Sequence, residues 1–315
     1  MRHAKSDLSR RELFVRGSVA IAGAIAAGTP MSLLAQGLTT LDVASAGSMR
    51  AMLDGPIKAA IAQRLQLDLQ SHARGADAVA HSIVDGELLA DVFIPVTAGP
   101  MRTVMEAGRC EVAEPIARTE LVLVYSPKSR FVAQFEAAAA GKANWWEVMQ
   151  EPGLRVARSN PAGDPSGRAI LFAMMLAAKK YKQPDLVEKV LGATLNPDQI
   201  LTGGNTQARL ASGEIDVMGT YKMGPAGSKQ PYLSMPNDVN LSRLNVHAEN
   251  PELSLSIEGK TFYPEPLVFY AGALKEAANA GGADAFLAWL KGAEAQALFR
   301  QAQFDPVGDA IALHA

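Results

Sequence analysis

The chain has 315 residues, 48% hydrophobic and 20% charged, enough apolar material for one large domain or two lobes of ordinary size. Its single cysteine, Cys110, excludes an internal disulfide framework and thiolate metal clusters, and five scattered histidines without an HExxH-type spacing argue against a histidine-built metal site. Thirty basic and 32 acidic groups give a net charge of −2 without a Lys/Arg cluster, which argues against a nucleic-acid partner.

Ser9-Arg10-Arg11-Glu12-Leu13-Phe14 precedes a Gly/Ala-rich apolar run, Gly17 to Gly28, and then small residues ending Leu33-Leu34-Ala35. Paired arginines before a short, weakly hydrophobic stretch are the twin-arginine form of a bacterial export signal. The run falls short of the ~20 residues a membrane anchor needs. Residues 1–35 therefore read as a signal peptide cleaved near Ala35–Gln36, with the mature chain working in the periplasm. Without that segment 25 basic and 30 acidic groups remain, a net charge of −5 that suits a dissolved monomer.

Leu38 to Ala44 reads as a buried strand, and Met49 to Leu65 as a helix with Met52, Ile57, Ile61 and Leu65 on one face. Leu67–Gln70 and Ala90–Pro95 give further strands around a helix over Ala76–Leu88, and Thr119–Tyr125 is a long apolar strand. A second round follows: strand Leu154–Ala157, helix Ala169–Lys182, helix Gln207–Ser212 and strand Glu214–Gly219. Thr261–Tyr270 is apolar but interrupted by Pro264 and Pro266, and two helices over Ala283–Ala293 and Glu294–Gln301 end the pattern. The alternation predicts α/β architecture in two lobes, each a mainly parallel sheet flanked by helices. Glu120–Tyr125 and Tyr263–Tyr270 look like the crossings of a two-strand hinge. They divide the chain into residues 37–124 plus 265–315 and residues 125–264, with a ligand cleft between.

Candidate ligand contacts cluster at strand-to-helix turns. Ser45-Ala46-Gly47-Ser48 offers unpaired helix-start N–H groups and a hydroxyl, suited to an oxyanion; the same residues also suit an ordinary serine cap. His72-Ala73-Arg74-Gly75-Ala76 is a second such junction, where Arg74 either meets an anion or pairs at the surface. Asp164-Pro165 reads as a helix cap with proline in the first turn, or as a carboxylate turned into the cleft. Thr202-Gly203-Gly204-Asn205-Thr206 permits close backbone approach, and Thr220-Tyr221 follows the Glu214–Gly219 strand. Catalytic signatures are weak: there is no G-x-S-x-G elbow, Walker lysine loop or dinucleotide glycine motif.

At these same turns the chain resembles the periplasmic molybdate/tungstate-binding proteins of ABC importers, most of all the archaeal-type branch. Ser45-Ala46-Gly47-Ser48-Met49 is similar to that family's anion loop, and Asn144-Trp145-Trp146-Glu147 to its N-W-Y-E segment. Ser159-Asn160-Pro161 with Asp164-Pro165-Ser166-Gly167 matches its S-N-P…D-P-x-G-Y stretch, Arg168 standing in place of the tyrosine. Ala211–Asp216 followed by Tyr221-Lys222, and Met235–Leu241, match two further motifs in order. The resemblance implies a type II periplasmic binding fold and a non-enzymatic receptor without cofactor, which delivers molybdate or tungstate to the membrane subunits of an ABC permease. It implies that Ser48, Thr206 and Tyr221 donate hydrogen bonds to the oxyanion and that Asp164 joins the coordination sphere of Mo or W. Two positions depart from the pattern: Thr220 replaces a second carboxylate, and Ala76, offering only N–H, replaces a hydroxyl while Arg74 adds a cation. These departures leave sulfate, phosphate or a small organic acid as alternative ligands. A secreted enzyme is the remaining alternative.

Overall fold

The computed structural model describes residues 37–201 and 206–315, so the export signal lies outside the described residues. The first strands are β1 (Thr39–Ala46), β2 (Leu67–Arg74), β3 (Val92–Ile94) and β4 (Val112–Arg118), followed by β5 (Leu121–Tyr125), β6 (Val156–Ala157), β7 (Val217–Tyr221) and β8 (Tyr232–Ser234). A hairpin of β9 (Leu255–Ile257) and β10 (Lys260–Phe262) precedes β11 (Val268–Ala273) and β12 (Leu313–His314). Two main sheets result: six strands in the order β12-β4-β11-β3-β1-β2, and four in the order β6-β7-β5-β8.

Both sheets are mixed rather than mainly parallel. β1 runs parallel to β2 and β3, and β6 parallel to β7, because helices carry the chain back between successive strands. Every other pairing is antiparallel: β11 with β3 and β4, β12 with β4, and β5 with β7 and β8. No crossover helix separates β4 from β5, and β11 re-enters the first sheet after the whole second sheet, so neither can keep the parallel direction.

The chain passes between sheets at Thr119–Glu120, ahead of the boundary expected after residue 124, and β5 therefore belongs to the second sheet. It returns through residues 263–267, where Pro264 and Pro266 end the β10 strand before β11 begins. The two passages touch: the Thr119 N–H donates to the Leu267 carbonyl at 3.0 Å, and Leu267 donates to Leu241 at 3.0 Å. The Met235–Leu241 motif braces this crossing, since the buried Asn240 amide donates to Glu120 Oε2 at 2.9 Å and to the Met235 carbonyl at 3.0 Å. The Asn144–Glu147 motif is also structural: its short helix buries Trp145, and the Trp146 ring stacks on Tyr181 at 3.5 Å. Among the described residues no helix is long and apolar enough to cross a membrane.

Asp216, just before β7, anchors the second sheet. Its buried carboxylate accepts from the Ser129 hydroxyl at 2.7 Å, from the Arg155 N–H at 2.9 Å and from two nitrogens of the Arg155 guanidinium at 2.8 Å. Burial alone would raise its pKa, but these donors prevail and hold it below the ordinary carboxylate range. This contribution to stability is complete above the unfolded-state pKa, about 3.9, and disappears as the pH falls through the lower folded value. Asp216→Asn is expected to cost about 1.5–3 kcal/mol in urea unfolding at pH 7, a deficit that shrinks as the pH falls below the ordinary carboxylate range. An unchanged midpoint at pH 7 would contradict the anchoring role.

Candidate ligand-binding site

Four strands aim their carboxyl ends at one place. β1 ends at Ala46, β2 at Arg74 and β7 at Tyr221, while β3 leads to Val96; all four residues line a cavity of about 210 Å³. Ligands in open α/β sheets collect at such ends. Six of the seven residues singled out in the sequence line it: Ser48, Arg74, Ala76, Asp164, Thr220 and Tyr221. They come from both sheets. The reading missed Val96, because nothing in an isolated apolar residue after a strand marks it as cavity lining.

Thr206 is not brought to this wall. It opens the Thr206–Ser212 helix beside a second cavity of about 360 Å³, which shares Gly75 and Asp164 with the first. Gly75 packs against the Gly163–Asp164 turn where the two spaces adjoin, and residues 202–205 lie outside the described residues.

The donors facing the main cavity are under-used. The helical run from Gly47 and the Ala76–Val84 helix begin with no side-chain cap, so their first N–H groups have no partner within the helix. Ser48 Oγ and Tyr221 Oη are buried without a hydrogen-bond partner. Burial pushes the Tyr221 hydroxyl well above the usual phenol range, and the Asp164 carboxylate adds to the effect, so the group remains a donor at neutral pH.

Asp164 caps a helix and lines both cavities. Its Oδ1 accepts from the Ser166 N–H at 2.9 Å at the start of the Pro165–Tyr181 helix. Burial raises its pKa against the opposing pull of the Ser166 N–H, while the neighbouring Asp77 adds to the rise. Neither nearby arginine serves it as a direct partner. Arg168 pairs with Asp77 at 2.7 Å, and the fully buried Arg158 donates to the carbonyls of Ala193 and Thr194 at 2.8 Å each. No group of three or more His, Cys, Asp or Glu suited to a metal ion exists among the described residues.

The model of the family described as bacterial extracellular solute-binding protein matches residues 41–305. The molybdate/tungstate-binding protein WtpA of Thermococcus kodakarensis is 23% identical, over 92% of this chain and 89% of its own. Among solved structures, the periplasmic molybdate-binding protein of Azotobacter vinelandii superposes with a TM-score of 0.60 at 20% identity, covering 84% of this chain and 98% of that one. The sulfate-binding protein SubI of Mycobacterium tuberculosis gives the same TM-score at 16% identity, over 86% of this chain and 88% of its own. The fold is that of type II periplasmic binding proteins.

The two halves of the cavity wall meet at a glycine. A Cβ on Gly75 would stand 2.7 Å from the Gly163 carbonyl oxygen, a backbone atom that cannot swing aside. Gly75→Ala is expected to part the two turns and speed amide hydrogen exchange across residues 74–79 and 161–166, with the rest of the exchange map unchanged. Exchange at the wild-type rate in both segments would mean that the turns do not touch in solution.

Proposed function

We infer, for a chain that belongs to the bacterial extracellular solute-binding protein family, that it is a non-enzymatic periplasmic receptor which closes on molybdate or tungstate at Ser48 and Tyr221 and delivers it to the membrane subunits of an ABC permease. One observation carries this reading: two buried hydroxyls without partners line a single small cavity. Each such group costs about 1–3 kcal/mol when left unmade, and an oxyanion supplies acceptors to both. Uncapped helix starts at Gly47 and Ala76 add N–H donors, and charge-assisted bonds of this kind hold an anion with little formal positive charge. Arg74 and Thr220 complete the donor set. Asp164 approaches the Mo or W centre itself, the arrangement in which a carboxylate beside a dianion is attractive. Thr206 offers a helix-start N–H from the neighbouring space.

We take the two sheets as two lobes, residues 37–119 with 267–315 and residues 120–266, that open and close about the passages at Thr119 and Leu267, a reading supported by the separate sheets. Residues 1–35 act as the twin-arginine signal that takes the chain to the periplasm, where it works as a monomer without resident cofactor.

A second reading keeps the cavity and changes the cargo to sulfate, phosphate or a small organic acid. Arg74 favours it, since a full positive charge at the wall selects less strictly for a metal oxyanion. Titration calorimetry with molybdate, tungstate, sulfate and phosphate separates the readings. Molybdate and tungstate are expected to bind with about 12 kcal/mol and the other two at least a hundredfold more weakly. Ser48→Ala and Tyr221→Phe should each lose about 1–3 kcal/mol of that affinity. No heat with any of the four anions would end the oxyanion assignment, and undiminished binding in both variants would move the site elsewhere.

A further inference from the structure

We infer that the ion pair between Asp77 and Arg168 is the latch that holds the two sheets' helices together over the cavity, so that Arg168 positions the closed form without touching the ligand. The inference rests on the receptor reading above.

Asp77 lies in the first turn of the Ala76–Val84 helix, which buries Val79 and Ala80 against Ala44 and Phe93 of the first sheet. Arg168 lies in the Pro165–Tyr181 helix, which belongs to the second sheet and lays Ile170 against Gly219 of β7. Arg168 Nη1 and Asp77 Oδ2 meet at 2.7 Å, with the two side chains only 5% and 17% exposed. A bridge this deep forms only when the helices are packed side by side.

The remaining contacts of Arg168 come from its own half. The Nη1 hydrogen bond goes to the Pro161 carbonyl at 2.9 Å, the contact with Asp77 being an ion pair, and the guanidinium lies 4.1 Å over the Phe262 ring on the hairpin. That hairpin buries Leu255 and Ile257 in the same core as the Pro165–Tyr181 helix, and Lys179 of that helix reaches Asn250 at 2.8 Å just before it. Separation of the sheets would therefore leave Arg168 held in its pocket by Pro161 and Phe262 without its direct ion partner, with only Asp164 and Glu265 of its own half acting on it at longer range. Removing one partner from a buried pair costs more than the intact pair contributes, because the surviving charge stays in a poor solvent. The asymmetry biases the molecule toward closure. Arg168 does not line the 210 Å³ cavity, while Asp77 directly follows Ala76 and Arg168 is one helical turn beyond Asp164, both of which do line it. The latch thus grips the two cavity walls from behind.

The experiment compares wild type, Asp77→Asn, Arg168→Gln, the double variant and Arg168→Lys, each verified as folded by its thermal transition. Two readouts are taken: small-angle scattering of the ligand-free protein, and the dissociation rate of molybdate by stopped-flow fluorescence. Each single variant is expected to enlarge the radius of gyration and to speed release about tenfold, the double variant to match the singles instead of multiplying them, and Arg168→Lys to fall between. Unchanged scattering and release in the single variants, or fully multiplicative effects in the double, would overturn the latch. Should wild type bind no molybdate, the receptor reading fails, and the scattering series alone decides the latch: enlargement in both singles upholds it and identical profiles overturn it.

Discussion

Backbone amides at the start of a helix and buried hydroxyls must find acceptors, and here those of two sheets are aimed at the same small space. The rest of the molecule follows from that constraint. The strand ends at Ala46, Arg74 and Tyr221 converge, the Gly75 turn lies against Gly163, and Ser48 and Tyr221 stay buried with their hydroxyls unspent. A wall built this way recognises charge by the geometry of its donors more than by opposing charge. The fold family serves more than one oxyanion, as the solved molybdate- and sulfate-binding relatives illustrate. Under the proposed function, discrimination in this chain would rest with the few groups that differ from the bare donor set: Arg74, Thr220 and Asp164.

The electrostatics of the site are unusual for an anion receptor. Asp77, Asp164 and Glu265 all act on the Tyr221 hydroxyl, and Arg168 is the cation set against them. Glu265 itself is raised by burial, and its Oε1 accepts from the Gly99 N–H at 2.7 Å. Of these acids only Asp164 lines the cavity, where its charge repels a simple anion unless the carboxylate binds the ligand's central atom. This is the physical reason to favour a metal oxyanion over sulfate at equal size.

Much of this was legible in the sequence, and the reasons differ from element to element. The apolar periodicity of residues 39–94 places strands and helices nearly where they are observed, and the site residues singled out at turns along the chain supply six of the eleven residues that line the cavity. Strand direction was not legible. Periodicity reports burial and carries no information on how a strand that returns after a long excursion will pair, so β4, β5 and β11 defeated a parallel assignment. The passage between sheets was misplaced by a few residues because Leu121–Tyr125 is buried throughout, and a continuous apolar run marks no boundary. Arg168 and Asp77 lie 91 positions apart in the numbering, and no local pattern connects them.

The place of β11 bears on how the molecule is made. It is the strand between β3 and β4 in the first sheet, yet it emerges only after every strand of the second sheet. Until then β3 and β4 each present an unpaired edge, and the growing polypeptide carries an incomplete sheet ready to join a stranger's strand. Such non-local pairing is slow to nucleate, because the intervening loop must be closed before the contact repays it. Assembly of this sheet is therefore a late event, complete only after Val268–Ala273 has been synthesised.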